Sequence, residues 1–354
     1  MQVSLNDLKY VPTLFLRNAE MQAVEHLSNA EKDAIIPLVL VKPWGNSAQL
    51  VGSVKRITKA YPDRYFILDV DRYYGKASAR PAWAQFLALK APDNSFAAWR
   101  EFISETVNAI PCIQLNGADA EAIISQIEWA QSIGRPFCLR IESSFPCLTN
   151  EVLKAFSHID HTNYLVVLDA GWSRDVLSQQ LWASGWINSL VNLHSDVKIV
   201  VSASSFPNEF MSYGQYGEEP LQERPFYNAL QVLHNEARLI YGDWASSRPH
   251  GPDSGGPGYP RVDLPLSDRW VFFRGSAIDG NFKPLAQLAV ANALWDDNLN
   301  VWGKYFINNT ASGIGYAINS AQQAAAARIN IHMNEQIASG TQEPIGDVPE
   351  DFID

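Results

Sequence analysis

The sequence predicts an α/β fold, a (β/α)8 TIM-type barrel carrying a C-terminal helical appendage. Three observations predict it. Eight short apolar runs recur before residue 245, helix-like segments separate most of them, and run after run ends on a polar residue. The runs are YVPTLFL from Tyr10, IIPLVLV from Ile35, YFILDV from Tyr65, IPCIQL from Ile110, FCLRI from Phe137, YLVVLD from Tyr164, KIVVSA from Lys198 and LIYGD from Leu239. They are near-continuous rather than alternating, as parallel strands buried on both faces should be. A doubly wound sheet is the structural alternative. It lacks its usual reason here, because no GxGxxG or GxxxxGK turn occurs.

The segments between the runs carry apolar residues at spacings of three and four. AEMQAVEHLSNAEK follows the first run and SAQLVGSVKRITKAY the second. The connection from Asp71 to Asn108 is long enough for an extra helix besides the barrel helix. DAEAIISQIEWAQSIG follows the fourth run, and SRDVLSQQLWASGWINSLVNL the sixth. Asn46, Ser47 and Ser173 are expected caps. Gly134 stands where a helix should stop, just before Arg135-Pro136 and the next run.

These elements divide the chain into a barrel over residues 1–245, a loop over 246–262, an appendage over 263–340 that packs on the barrel, and an acidic tail over 341–354. The loop, with four glycines and three prolines between Gly251 and Pro260, is expected to be mobile. In the appendage RWVFFRG is one more apolar run, and PLAQLAVANALWDDNLNVWGKYF and GYAINSAQQAAAARINIHMNEQI read as helices.

Composition narrows the function classes. Of 354 residues, 47% are hydrophobic and 18% charged, a globular mix. A net charge of −11 argues against an extended nucleic-acid surface, which needs clustered Lys and Arg. No window reaches the roughly 18 apolar residues of a membrane span. The N-terminus MQVSLNDLKY has no secretory signal pattern. The three cysteines, Cys112, Cys138 and Cys147, form no CxxC pair and read as buried thiols in a reducing cytoplasm.

Barrel chemistry sits at the C-terminal ends of the strands. Those ends supply Arg17 and Glu20, then Lys42 and Trp44, then Asp69, Asp71 and Arg72. Gln114 and Asn116, Arg140 and Glu142, and Asp169 and Trp172 come next, followed by Ser202 and Ser204. Asp243 and Trp244 complete the ring. The carboxylates Asp69, Glu142, Asp169 and Asp243, balanced by Lys42 and Arg140, could hold a divalent cation or supply an acid and a base. Equally, Asp and Arg at strand ends can neutralise one another with no ligand, Asp243 pairing with Lys42 or Arg140. Trp44, Trp172 and Trp244 could stack on a base or sugar, or simply pack beneath loops. No histidine falls on a strand end. His158 and His161 lie in a turn at the opposite end of the barrel. His332 reads as a helix-surface residue that reaches the mouth only if its helix folds back. No GxSxG elbow is present.

The opening YVPTLFLRNAEMQAVEHL…KDAIIPLVLV resembles the start of the beta protein family, which is named after a phage protein. The likeness continues through LDVDR, CLRIE, VVLDAG, SASSFP and YGDWASSRP, with RWVFFRG and RINIHMNEQ as further blocks. Two departures stand out. Arg17-Asn18-Ala19-Glu20 replaces a Lys-x-x-Glu turn, and His332 alone stands where paired histidines are usual. The resemblance implies a barrel, a phage or bacterial cytoplasmic setting and a role in phage–host conflict. It brings no established reaction and no catalytic residue. Three functions remain open: a barrel mouth that binds a small polar or phosphorylated ligand or a protein partner, a metal-assisted phosphoester hydrolase, and a non-catalytic scaffold.

Overall fold

The computed structural model describes residues 5, 7–144, 149–159, 163–249, 259–275 and 280–341. In chain order the first half runs β1 (Tyr10–Phe15), α1 (Asn18–Glu25), α2 (Asn29–Asp33), β2 (Leu38–Val41), α3 (Val51–Ala60), β3 (Phe66–Val70), α4 (Pro81–Leu89), α5 (Asp93–Ser104), β4 (Ala109–Pro111) and α6 (Ala120–Ser132). There follow β5 (Phe137–Glu142), α7 (Thr149–Phe156), β6 (Tyr164–Trp172), α8 (Val176–Leu193), β7 (Lys198–Ser204), β8 (Tyr216–Pro220), α9 (Glu223–Leu233) and β9 (Arg238–Asp243). The chain then forms β10 (Arg261–Pro265), β11 (Arg269–Arg274), α10 (Lys283–Val290), α11 (Trp302–Ser312) and α12 (Ala321–Thr341).

All eight sequence runs are strands of one parallel sheet, in the order β4-β3-β2-β1-β9-β7-β6-β5. Its two ends meet through a parallel bridge between Cys112 and Cys138, where Ile113 N donates to the Cys138 carbonyl at 2.8 Å. The sheet is therefore a nearly closed (β/α)8 barrel, its seam held by that bridge. Successive side chains point to opposite faces of a strand. Val11, Leu38, Ile67, Ile110, Leu165 and Val200 fill the interior, while Val39, Leu68, Leu139, Val166 and Val201 pack beneath the helices. Both faces are dry, so the sequence shows no alternation. Each such side chain contributes about 1.5–3 kcal/mol by leaving water.

Local signals explain most helix ends. Gly134 adopts φ +68° beyond α6, where Gly134 N and Arg135 N donate to the carbonyls of Gln131 and Ala130 at 2.9 and 3.0 Å. Two expected caps are displaced. Asn46 and Ser47 stop short of α3, which begins after Leu50 with no side-chain cap. Ser173 braces the turn before α8, and Asp175 caps it by accepting from Ser178 N at 3.1 Å. The connection from Asp71 to Asn108 holds the extra helix, α4, beside α5.

Beyond the barrel, β10, β11 and β8 form a three-stranded antiparallel sheet in that order, so one strand from the barrel segment pairs with β11 of the appendage and extends its hairpin. Its outer face, with Val262, Leu264, Val271 and Phe273, packs on α10, α11 and α12. On its other face Trp270 and Phe272 meet Phe206, which follows β7 at the mouth end. The long helix α12 then packs along α1. Asn18 contacts Gln322 at 3.3 Å, and Asn330 donates to the Ala23 carbonyl at 2.9 Å. On its other side Arg224 of α9 binds the Gln336 side chain and carbonyl, each at 2.7 Å. The C-terminal helix thus occupies the position of the eighth barrel helix. Among the described residues no helix is long and apolar enough to cross a membrane. Residues 250–258 of the loop expected to be mobile, Cys147, His161 and the tail from 342 lie outside the described residues.

Candidate functional site

Along the barrel axis the interior changes from apolar to charged. Two residues after the inward Ile67, Cys138, Val167 and Val200 the strands bring in Asp69, Arg140, Asp169 and Ser202 in turn. Arg140, 1% exposed, stands at the centre. Its guanidinium lies 3.0 Å from Asp69, 3.0 Å from Glu142 and 2.7 Å from Asp169, and 5.4 Å from the Trp244 ring centre. Arg72 binds Glu142 at 2.5 Å and approaches Asp69 at 3.8 Å. Asp69 also accepts from Gln114 Nε2 and Val70 N at 3.0 and 2.8 Å, and Asp169 from Trp244 Nε1 and Gly171 N, both at 3.0 Å.

This half of the mouth is saturated. Burial opposes ionisation of Asp69, but Arg72, Arg140 and Gln114 outweigh it and hold the carboxyl below its ordinary pKa. Glu142 goes the other way: burial pushes it up, and Arg140 and Arg72 offset only part of that because Asp169 and Asp69 add repulsion. A metal ion needs oxygen lone pairs that these carboxylates have already committed. Among the described residues no group of three or more His, Cys, Asp or Glu is arranged to hold one.

The other half, at the ends of β1 and β2, differs. Lys42 Nζ lies 3.8 Å from Asp71 and over the rings of Tyr74 and Phe15, at 4.9 and 5.8 Å. Arg17 is exposed and its guanidinium stacks 4.0 Å above Phe15. Glu20, in the first turn of α1, is buried among Arg17, Lys42 and Arg328 of α12. Burial raises the pKa of Glu20 and of Asp71, and the nearby cations do not fully compensate. Burial likewise lowers that of Lys42, with Arg17 adding repulsion. Among the described residues Glu20 Oε2, Asp71 Oδ1, Arg328 Nε and the hydroxyls of Thr13, Ser202 and Ser246 are buried without a hydrogen-bond partner.

Asp243 does not join the barrel interior. Gly242 and Trp244 face inward, so Asp243 between them faces outward, into the layer between sheet and helices. There its carboxylate accepts from Tyr10 Oη at 2.7 Å, Tyr241 Oη at 2.9 Å and Ala245 N at 2.8 Å, and meets His332 Nε2 at 2.7 Å. Two sequence expectations are corrected. Asp243 pairs with neither Lys42 nor Arg140, and His332 is a buried residue rather than a surface one. The strand period of two, applied at Gly242, was the available signal. The turn that follows is strained: Ala245 and Ser246 adopt φ of 47° and 51° without being glycine.

The remaining expected residues separate as follows. Gln114 is buried against Asp69, whereas Asn116 is exposed on the loop beyond. Ser204 donates to the Ser247 carbonyl at 2.8 Å. Trp244 packs on Phe15, Trp172 Nε1 donates to the Phe206 carbonyl at 2.7 Å, and Trp44 carries Arg56 5.6 Å from its ring centre, so all three serve packing. Sequence reasoning missed Arg328 and Glu223. Glu223 is buried and its pKa is pushed up to about 7 by desolvation, which two bonds from Ser205, from N at 2.6 Å and Oγ at 2.8 Å, only partly offset. Neither residue lies on a strand end, but Arg328 stands one helical turn from His332, on the same face of α12.

Comparison with known proteins places this geometry in a family. Protein beta of Enterobacteria phage P4 is 28% identical over 347 residues, spanning 95% of each chain. The crystal structure of endonuclease IV from Thermus thermophilus overlaps 69% of this chain and 94% of its own, at 14% identity and a TM-score of 0.33, too loosely to bear on chemistry. The Beta protein family model matches residues 10–338, from the first barrel strand to the C-terminal helix that completes the ring, and the chain belongs to that family.

Proposed function

We propose that the protein binds a small polar or phosphorylated ligand at the C-terminal mouth of its barrel, in the setting of phage–host conflict. The observation that carries the reading is that Glu20 Oε2 and Asp71 Oδ1, buried carboxylate oxygens within electrostatic reach of Arg17 and Lys42, have no hydrogen-bond partner. An unsatisfied buried group costs about 1–3 kcal/mol, and native structures keep few of them without a reason. A ligand bearing both donors and acceptors removes that cost. A pure scaffold would account for the Arg140 half, where the carboxylates are matched, but not for this one. The hydrolase reading is weaker, since its candidate ligands Asp69 and Asp169 are engaged by Arg140, and Asp243 faces away.

In this reading residues 1–245 supply the barrel, and residues 263–340 cover it and lend α12. The phage setting is supported by the likeness to the protein beta of phage P4, and the conflict role is what the family resemblance implies. A reducing cytoplasm suits the free thiols Cys112 and Cys138. Thermal melting against a panel of nucleotides, sugar phosphates and other small polar metabolites, with and without Mn²⁺, tests the proposal. A ligand at a hundred times its Kd stabilises by about 2.7 kcal/mol. Metal-independent stabilisation that Lys42→Met abolishes is the expected result. Stabilisation by Mn²⁺ alone, or by nothing in the panel, would overturn it.

A further inference from the structure

We infer that the Arg17 side of the mouth takes a phosphorylated polyol, with Arg328 of the C-terminal helix as one of its phosphate ligands. The inference rests on the polar-ligand reading above and names its chemical class. Two kinds of unmet demand meet in one place. Glu20 Oε2 and Asp71 Oδ1 are buried acceptors that lack donors, and Arg328 Nε is a buried donor that lacks an acceptor. Arg17 and Lys42 are cations within electrostatic reach of both carboxylates, and Arg328 is within reach of Glu20. Hydroxyl groups satisfy carboxylates, and phosphate oxygens satisfy guanidinium and ammonium groups.

Charge points the same way. Asp263 is shared between Arg328 at 2.9 Å and Arg261 at 2.6 Å. Across the cluster the cations Arg17, Lys42, Arg261 and Arg328 therefore face Glu20, Asp71 and Asp263. The surplus is positive and invites an anion, while the two underused carboxylates reject one that lacks hydroxyls. An acidic peptide or a bare divalent cation meets only one half of that pattern. Arg17, exposed near the half-buried Lys42, marks the side from which solvent reaches the cluster.

Calorimetric titration of the full-length protein with a pentose 5-phosphate, the unphosphorylated pentose and inorganic phosphate tests this. The pentose phosphate should bind tightest. Arg17→Met, at an exposed position where folding is not at stake, should weaken both phosphorylated probes about tenfold, the worth of one charged hydrogen bond. Glu20→Gln, which removes a buried charge without changing shape, should weaken the pentose phosphate and leave inorganic phosphate unchanged or tighter. Arg328→Lys should weaken both phosphorylated probes while the fold persists. Equal affinity for the pentose and its phosphate, insensitive to Arg17→Met, overturns the inference and leaves the polar-ligand reading standing. No heat from any probe, joined to no stabilisation across the metabolite panel, overturns both.

Discussion

His332 Nε2 lies 2.7 Å from Asp243 Oδ2, joining the C-terminal helix to the eighth barrel strand across 89 positions of chain. Both side chains are 1% exposed. Tyr10 and Tyr241 complete the cluster, their hydroxyl pKa values driven well up by burial and by the Asp243 charge. One turn earlier Arg328 reaches the mouth, so the contact that anchors α12 also sets the position of a proposed ligand-binding residue.

Asp243→Asn should therefore destabilise. Losing a buried hydrogen bond to a charged carboxylate costs about 1.5–3 kcal/mol. Urea unfolding of Asp243→Asn, His332→Gln and the double variant should give a double-variant loss well below the sum of the two single losses. Additive losses would mean that the two side chains do not act as a pair.

Glu223 gives the protein a stability that depends on pH near neutrality. Its folded pKa of about 7 stands above the ordinary 4.5, so between those values the folded state holds the extra proton. Stability is then complete below about 4.5 and falls as pH rises through 7, by about 3 kcal/mol in full. Glu223→Gln can accept from Ser205 N and donate to Ser205 Oγ. Melting curves of this variant should lose the decline between pH 5 and 8 and lie above wild type at the alkaline end.

Arg140→Met should be the most damaging single change in the barrel, because it strands Asp69, Glu142 and Asp169 together. The cost should exceed the roughly 3–5 kcal/mol of one broken buried pair. Circular dichroism and denaturant titration would check it. A stable, folded Arg140→Met would mean that the saturated half of the mouth is not held by its central guanidinium.

Gly242→Ala tests the inward register of the eighth strand. A Cβ there would stand 2.7 Å from Val200 Cγ1 and 3.1 Å from the Val11 carbonyl oxygen. Overpacking of this kind costs about 1–3 kcal/mol. An unchanged melting temperature would place residue 242 elsewhere.

The barrel was legible because eight buried strands need eight apolar runs, and nothing later in the chain alters that requirement. The ring of strand-end charges was legible for the same reason, and Arg140, Asp69, Glu142 and Asp169 lie together. Asp243 misled because strand-end position was read without strand face, and Gly242 and Trp244 take the two inward places around it. His332 and Arg328 were illegible as a pair of contacts. Their roles depend on a helix returning long after the last barrel strand, and helical periodicity records a buried face without naming what covers it. β8 was hidden too, since YGEEP is polar and becomes a strand only by pairing with β11.

The most direct measurement is a crystal structure of the full-length protein soaked with Mn²⁺ and a mixture of nucleotides and sugar phosphates. The expected result is a phosphorylated ligand between Lys42, Arg17 and Arg328, its hydroxyls on Glu20 and Asp71, with no manganese on Asp69 or Asp169. Manganese bound by Asp69, Glu142 and Asp169, with Arg140 displaced from them, would contradict it.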